Sequence, residues 1–257
     1  MSRPAPLKTI SVGDGPTLLL LHGYAMKPET YLPLARLLED RVRVVIPAIF
    51  QLPTSWTFEN ALDCIELTLE QMKIEQMSLL CHSFGGGLGL GLAARNPDRI
   101  VECVFGDTLG VREKFGLAEE ALHDPFGILR MATWPATTAF FQSVATHPMQ
   151  LASAGFWGFR SDREPDIEAV VLAGIPCHVL WANHDTLLSR SDGREFARQL
   201  HATFTVAEDP PVVEHDWMFD DPELFAAHLD KLGLKMFSSG HSHQTPRGKR
   251  GGRSRSV

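Results

Sequence analysis

The chain reads as an α/β protein built on a mostly parallel sheet flanked by helices, and three observations predict it. Apolar runs of strand length recur along the sequence, stretches of helical period fill the intervals between them, and 257 residues with 44% hydrophobic side chains suffice for one large core. Alternation of this kind builds strand-helix-strand units, whose crossovers keep neighbouring strands parallel.

Residues 8–12, 17–21, 42–47, 77–81, 101–106, 177–181 and 203–207 are the predicted strands. A helix over 57–72 follows from Phe58, Ala61, Leu62, Ile65, Leu69 and Met72, whose spacings of three and four draw one apolar stripe. Near the end, Asp221 is the expected N-cap and Pro222 the first helical residue of a helix that buries Leu224, Phe225, Leu229 and Leu232. Gly85, Gly86, Gly87, Gly89 and Gly91 follow the fourth strand. Each costs about 1 kcal/mol against alanine inside a helix, so this stretch predicts a helix pressed tightly against the sheet or a lid. Between Asp107 and Cys177 lie about seventy residues, more than one crossover helix needs. A helical cap over about 109–171 is therefore expected before the penultimate strand, carrying Phe115, Phe126, Trp134, Phe140, Phe141, Phe156, Trp157 and Phe159 to pack on the sheet edge and roof an apolar pocket.

Domain organisation follows: one domain over 1–237, with core segments 8–108 and 172–236, the cap of about 109–171, and a tail 238–257. That tail holds five Lys/Arg and no acid, with almost no apolar side chains, and is expected to be disordered. His241 and His243 within it do not make a metal site, because two ligands on a mobile chain are too few. The net charge is −7, and an acidic body argues against nucleic acid as the main partner. Cysteines 64, 81, 103 and 177 show no paired spacing and fall in predicted strands and helices. They are expected to be reduced core residues of a cytoplasmic protein. The first residues contain no signal-peptide run, and no segment reaches membrane-spanning length.

Residues 80 to 87, Leu-Cys-His-Ser-Phe-Gly-Gly-Gly, carry the strongest chemical signal. An apolar strand breaks into glycines with one serine at the break. A hydroxyl on such a strand-to-helix turn projects above the sheet, and the next backbone N–H points at the same place. Ser83 is thus the candidate nucleophile, although Cys81 stands where the usual Gly-x-Ser-x-Gly pattern has its first glycine. Upstream, the run 17–21 ends in His22-Gly23-Tyr24, a loop that can supply a second oxyanion donor. Downstream, Asn183-His184-Asp185 follows the strand 177–181, and His215 precedes the final helix. A neutral serine hydroxyl needs a base within hydrogen-bond reach, and the base needs an acid to hold its tautomer. The order Ser83, Asp185, His215 differs from the trypsin-like and subtilisin-like orders.

On these residues the chain resembles the α/β-hydrolase fold serine hydrolases, of the esterase and lipase kind, over roughly 8–236. The resemblance implies Ser83 as nucleophile, Asp185 as acid, His215 as base, and the backbone N–H groups of Tyr24 and Phe84 as the oxyanion hole. Asp107 is the alternative acid, since some relatives take theirs from the preceding strand. Ala182 and Glu214 depart from the common pattern, which has glycine at both places. His22 is expected to brace the oxyanion loop, His82 to be the variable neighbour of the nucleophile, and His184 to be a surface residue. The implied activity is hydrolysis of a small or hydrophobic carboxylic ester through an acyl-enzyme, with no cofactor and no metal. Carbon–carbon bond cleavage or lyase chemistry by the same triad, and ligand capture by a non-catalytic relative of the fold, are the alternatives. The expected partner is a small-molecule ester, and no oligomeric state is indicated.

Overall fold

A computed structural model describes residues 3–108, 134–158 and 162–238. Seven strands form one sheet: β1 Thr9–Val12, β2 Thr17–Leu21, β3 Arg43–Pro47, β4 Met77–His82, β5 Ile100–Gly106, β6 Cys177–Ala182 and β7 Thr203–Ala207. Across the sheet they run β1-β3-β2-β4-β5-β6-β7. Only β1 is antiparallel to its neighbour. All seven coincide with the predicted strands to within a residue at each end.

Side chains that alternate along a strand point to opposite faces, and both faces here are buried. Leu18, Leu20, Val44, Ile46, Leu80, Val104 and Leu180 pack into one core. Leu19, Leu21, Val45, Leu79, Cys103, Phe105, Val179 and Trp181 pack into the other. The first is covered by α1 (Leu32–Leu38), α8 (Trp217–Asp220) and α9 (Pro222–Lys231), with the short α10 (Lys235–Ser238) below them. The second is covered by α2 (Phe58–Gln71), α3 (Gly85–Arg95), α6 (Glu164–Leu172) and α7 (Arg190–Gln199).

The predicted helix signals act as local physics requires. Thr57 caps α2 by accepting from the Asn60 N–H at 3.1 Å, and Phe58, Ala61, Leu62, Ile65 and Leu69 are buried along its stripe. Asp221 caps α9 through the Leu224 N–H, also at 3.1 Å. Phe225 and Leu229, one turn apart, are fully buried, whereas Leu224 and Leu232 are only partly covered. Leu224 lies about 100° around the helix from Phe225, off the centre of the buried stripe. The sequence did not announce α8, which separates His215 from α9.

The glycine-rich α3 is pressed against the sheet. A Cβ on Gly85 would collide with the Leu21 carbonyl of β2, and one on Gly89 would collide with the Cys81 Sγ of β4. The second collision explains how Cys81 occupies a place usually given to glycine: the space its thiol needs is left by Gly89 one helix away.

Three described helices lie between β5 and β6: α4 (Trp134–Thr146) and α5 (Pro148–Gly158) in the expected cap, and α6, which packs beside α3 on the sheet although the cap was expected to extend to about 171. Gln150 on α5 donates to the Thr54 carbonyl at 2.8 Å, and Ser153 donates to the Trp56 carbonyl at 2.7 Å. The Arg163 guanidinium before α6 stacks 4.0 Å over the Phe58 ring. Phe140 packs on the core, while Phe141, Phe156 and Trp157 are about half exposed. Phe115, Phe126 and Phe159, the side chain of Trp134, and the tail beyond Ser238 lie outside the described residues. No helix among the described residues is long and apolar enough to cross a membrane.

The Cys81–Gly89 contact yields a stability prediction. Gly89→Ala should destabilise the fold by about 1–3 kcal/mol, the usual range for overpacking. In a Cys81→Ala background the same change should cost markedly less, because the colliding sulfur is gone. Urea unfolding of the four proteins measures this, and additive losses would exclude the explanation.

Candidate active site

Strand β4 ends at His82 and α3 begins at Gly85, so the chain reverses over Ser83 and Phe84. Ser83 has φ +50°, a left-handed conformation that costs a non-glycine residue about 1–2 kcal/mol. The turn is held at both ends. The Ser83 N–H donates to the Gly106 carbonyl at 3.1 Å, and its carbonyl accepts from Gly86 at 3.0 Å. Such strain at a half-buried serine is where a hydroxyl is presented rather than packed away.

The loop after β2 is built on buried polar contacts. His22 Nδ1 lies 3.2 Å from the Gly23 carbonyl, and burial pushes the ring down to about 4, against the carbonyls of Gly23 and Pro47. His22 therefore braces this loop as a neutral ring. The Tyr24 hydroxyl donates to the Leu151 carbonyl of α5 at 2.8 Å, tying the loop to the cap. The Tyr24 and Phe84 rings lie 5.7 Å apart, and Phe50 meets both, at 5.6 and 5.3 Å. The two segments whose amides were expected to form the oxyanion hole thus adjoin each other.

Asp185 and His215 are brought together directly. The His215 Nδ1–H donates to Asp185 Oδ2 at 2.8 Å, while Asp185 Oδ1 accepts from the Leu187 and Leu188 amides, each at 2.8 Å. The carboxylate is buried yet fully engaged. Burial opposes its charge, but His215 and the two amides outweigh it and hold the carboxyl below its ordinary value. For His215 burial disfavours the cation, but the charge and hydrogen bond of Asp185, then Asp216 and Asp107, raise it to about 9.

Both oxygens of Asp107, the alternative acid, meet other donors. Its Oδ1 accepts from the Ala182 N–H at 2.7 Å and its Oδ2 from the Trp217 indole at 2.5 Å. It joins the ends of β5 and β6 to the helix that follows His215. Burial pushes its carboxyl well above the usual range and the Asp185 charge adds to this, against His215, the Ala182 amide and the Trp217 indole. One oxygen of Asp107, one of Asp185 and one ring nitrogen of His215 all lie within 4.8 Å of one another. Asp216 is half-buried; burial raises it to about 6 although His215 pulls it down.

Further residues hold the Asp185 and His215 loops together. The exposed His184 donates its backbone N–H to the Val213 carbonyl at 2.9 Å. The Asn183 side chain accepts from the Val213 N–H at 2.8 Å and donates to the Pro210 carbonyl at 3.0 Å. His82 is buried, with Nδ1 2.6 Å from the Tyr31 hydroxyl and Nε2 3.1 Å from the His215 carbonyl. Neither Asn183 nor Tyr31 carries a local sequence signal for such a role. Their partners lie across long loops.

The "Alpha/beta hydrolase family" profile matches residues 18–228. A protein of Mycobacterium phage D29, provisionally named a non-heme haloperoxidase, is 27% identical over 253 residues, which cover 87% of this chain and 89% of that protein. An esterase from Thermogutta terrifontis, solved with malate bound, superposes with a TM-score of 0.74 at 18% identity, covering 90% of this chain and 94% of its own. The enol-lactonase of Burkholderia xenovorans LB400 does so with a TM-score of 0.69 at 18% identity, covering 89% and 96%. The seven-stranded sheet with its inserted helices, the turn at Ser83 and the profile match over most of the chain lead to one assignment: the chain belongs to the alpha/beta hydrolase family.

Proposed function

We propose that the chain is a serine hydrolase that cleaves a small or hydrophobic carboxylic ester by acyl transfer to water. The observation that carries this reading is the hydrogen bond from His215 Nδ1 to Asp185. With Nδ1 committed as a donor, the neutral ring keeps its lone pair on Nε2, the atom a general base uses. Ser83 Oγ attacks the ester carbonyl, and its proton passes to His215 Nε2. The oxyanion that forms is held by the Tyr24 and Phe84 backbone N–H groups. His215 returns the proton to the departing alcohol, and Asp185 stabilises the imidazolium in the interval. Water then repeats the sequence on the acyl-enzyme, releasing the acid and restoring Ser83.

The apolar preference rests on the rings around this place. Phe50, Trp56, Phe58 and Phe84 are all buried, with Trp56 5.5 Å and Phe50 5.3 Å from Phe84. Such a wall favours an uncharged acyl or alcohol group.

A fluorophosphonate probe should form one adduct, on Ser83, located by mass spectrometry of the digest. Ser83→Ala or His215→Ala should lower ester turnover by on the order of 10⁴ or more, since members of such a unit fail together. A panel of p-nitrophenyl esters of increasing length measures this; labelling elsewhere, or no turnover at any length, counts against the proposal. Because the phage relative's name points to halide oxidation, bromide and peroxide are assayed alongside. Turnover there with none on esters would replace the ester reading.

Asp185→Asn should cost on the order of 10⁴ in kcat by removing the charge that supports the imidazolium. Asp107→Asn should cost far less activity and more stability, because it disturbs the Ala182 and Trp217 contacts. The opposite ranking would make Asp107 the acid.

The pH profile has a definite sign. His215 must be neutral to act as base, and against burial its proton is held to about 9 by Asp185, Asp216 and Asp107. The kcat/KM limb should therefore rise with pH through about 9 rather than near the ordinary histidine value. Removing the Asp185 charge should move that limb to lower pH.

A further inference from the structure

We propose that His82 is a positioning residue, a single imidazole that ties the end of the nucleophile strand to the backbone of His215 and, through Tyr31, to the oxyanion loop. The inference rests on the serine hydrolase reading and extends it to two residues outside the reacting set.

The hydrogen-bond directions follow from what each group can do. The His215 carbonyl only accepts, so its contact at 3.1 Å requires a proton on His82 Nε2. In a neutral ring Nδ1 is then an acceptor, and the Tyr31 hydroxyl 2.6 Å away must donate to it. The Tyr31 oxygen is left to accept from the Gly23 N–H at 3.0 Å. Three donors point one way along the chain Gly23, Tyr31, His82, His215. Its links join residues 8, 51 and 133 positions apart.

Burial and packing keep this chain in one state. His82 is 1% exposed and Tyr31 is fully buried. Phe219 of α8 closes on both, 5.3 Å from the Tyr31 ring and 6.0 Å from that of His82. Burial, then the charge of His215, pushes His82 down to about 3, and burial pushes the Tyr31 phenol well up. Both stay neutral across the range in which esters are assayed, so the directions do not reverse.

The two ends of the chain are the backbone beside the base and the amide next to Tyr24, whose own N–H is a proposed oxyanion donor. Ser83 follows His82 directly. The ring therefore touches the framework of nucleophile, base and oxyanion hole without meeting substrate. A displacement of about 1 Å in such parts costs up to on the order of a hundredfold in rate.

Tyr31→Phe removes one hydroxyl and keeps the ring; His82→Leu removes both ring nitrogens; His82→Gln keeps an amide able to donate toward His215 and accept from Tyr31. Turnover of a neutral p-nitrophenyl ester is measured per site titrated by fluorophosphonate at Ser83, so unfolded protein is not counted. Tyr31→Phe and His82→Leu should lower kcat by roughly ten- to a hundredfold with KM nearly unchanged. His82→Gln should recover part of the loss. The double variant Tyr31→Phe/His82→Leu should be no slower than the worse single, as expected for links of one chain. Wild-type kcat per site in the singles, a loss carried by KM, or additive losses in the double would overturn the proposal. If His82→Leu does not fold, Tyr31→Phe and His82→Gln decide it. Failure of the wild type to label at Ser83 sinks the hydrolase reading and this proposal together, whereas labelling at Ser83 with unimpaired variants sinks this proposal alone.

Discussion

The architecture of the site depends on one strained turn. Ser83 sits in left-handed backbone at the end of the central strand β4, and its conformation holds only if α3 leaves the sheet at once and close by. Gly85 permits this because any side chain there would strike the Leu21 carbonyl. The same closeness brings α3 so near β4 that Cys81 needs the missing side chain of Gly89. The other site segments follow from β4's neighbours: Asp107 comes from the end of β5, Asp185 from the end of β6, and Tyr24 from the end of β2. In parallel strands these ends lie on one rim.

Once the rim is assembled, the two aspartates weighed as triad acid differ in their hydrogen-bond partners. Asp107 is met by N–H donors from Ala182 and Trp217. Asp185 also takes two backbone amides, yet keeps its second oxygen for His215. The difference lies in which donors surround each carboxylate, not in distance from the imidazole, since both are close to it. Asp107 is better read as a brace that joins Ala182 of β6 to Trp217 of α8. Ala182, where relatives often have glycine, needs only its amide for this contact. The methyl does not interfere.

The strands were legible because both faces of the sheet are buried, so each strand reads as a short continuous apolar run. Helix α2 was legible from its stripe, and α9 from Asp221 and Pro222. β4 runs one residue further than its apolar run, to His82, because hydrogen bonds to Tyr31 and His215 supply the polar partners that allow a histidine to be buried there. Helix α8 was hidden because Trp217-Met218-Phe219 spans a single turn, too short to show a period. The site's proposed reacting residues stood out through local context, a serine among glycines and acids after strands. Its braces did not. The Asp107–Trp217 bond spans 110 positions and the His82–His215 bond 133, and no spacing in the chain encodes such meetings.

Two imidazoles lie with ring centroids 5.1 Å apart at this rim, and their different partners assign their charges. Two unit cations at that separation repel by about 3 kcal/mol at an effective dielectric constant near 20, so one proton at most is tolerated. His215 faces Asp185, Asp107 and Asp216, whereas His82 faces a phenol and a carbonyl. The proton therefore resides on His215, and its presence there lowers His82 further. A ring that stays neutral can keep a fixed tautomer and a fixed set of hydrogen bonds while its neighbour gains and loses a proton. That asymmetry lets one histidine change state beside another that holds the backbone still.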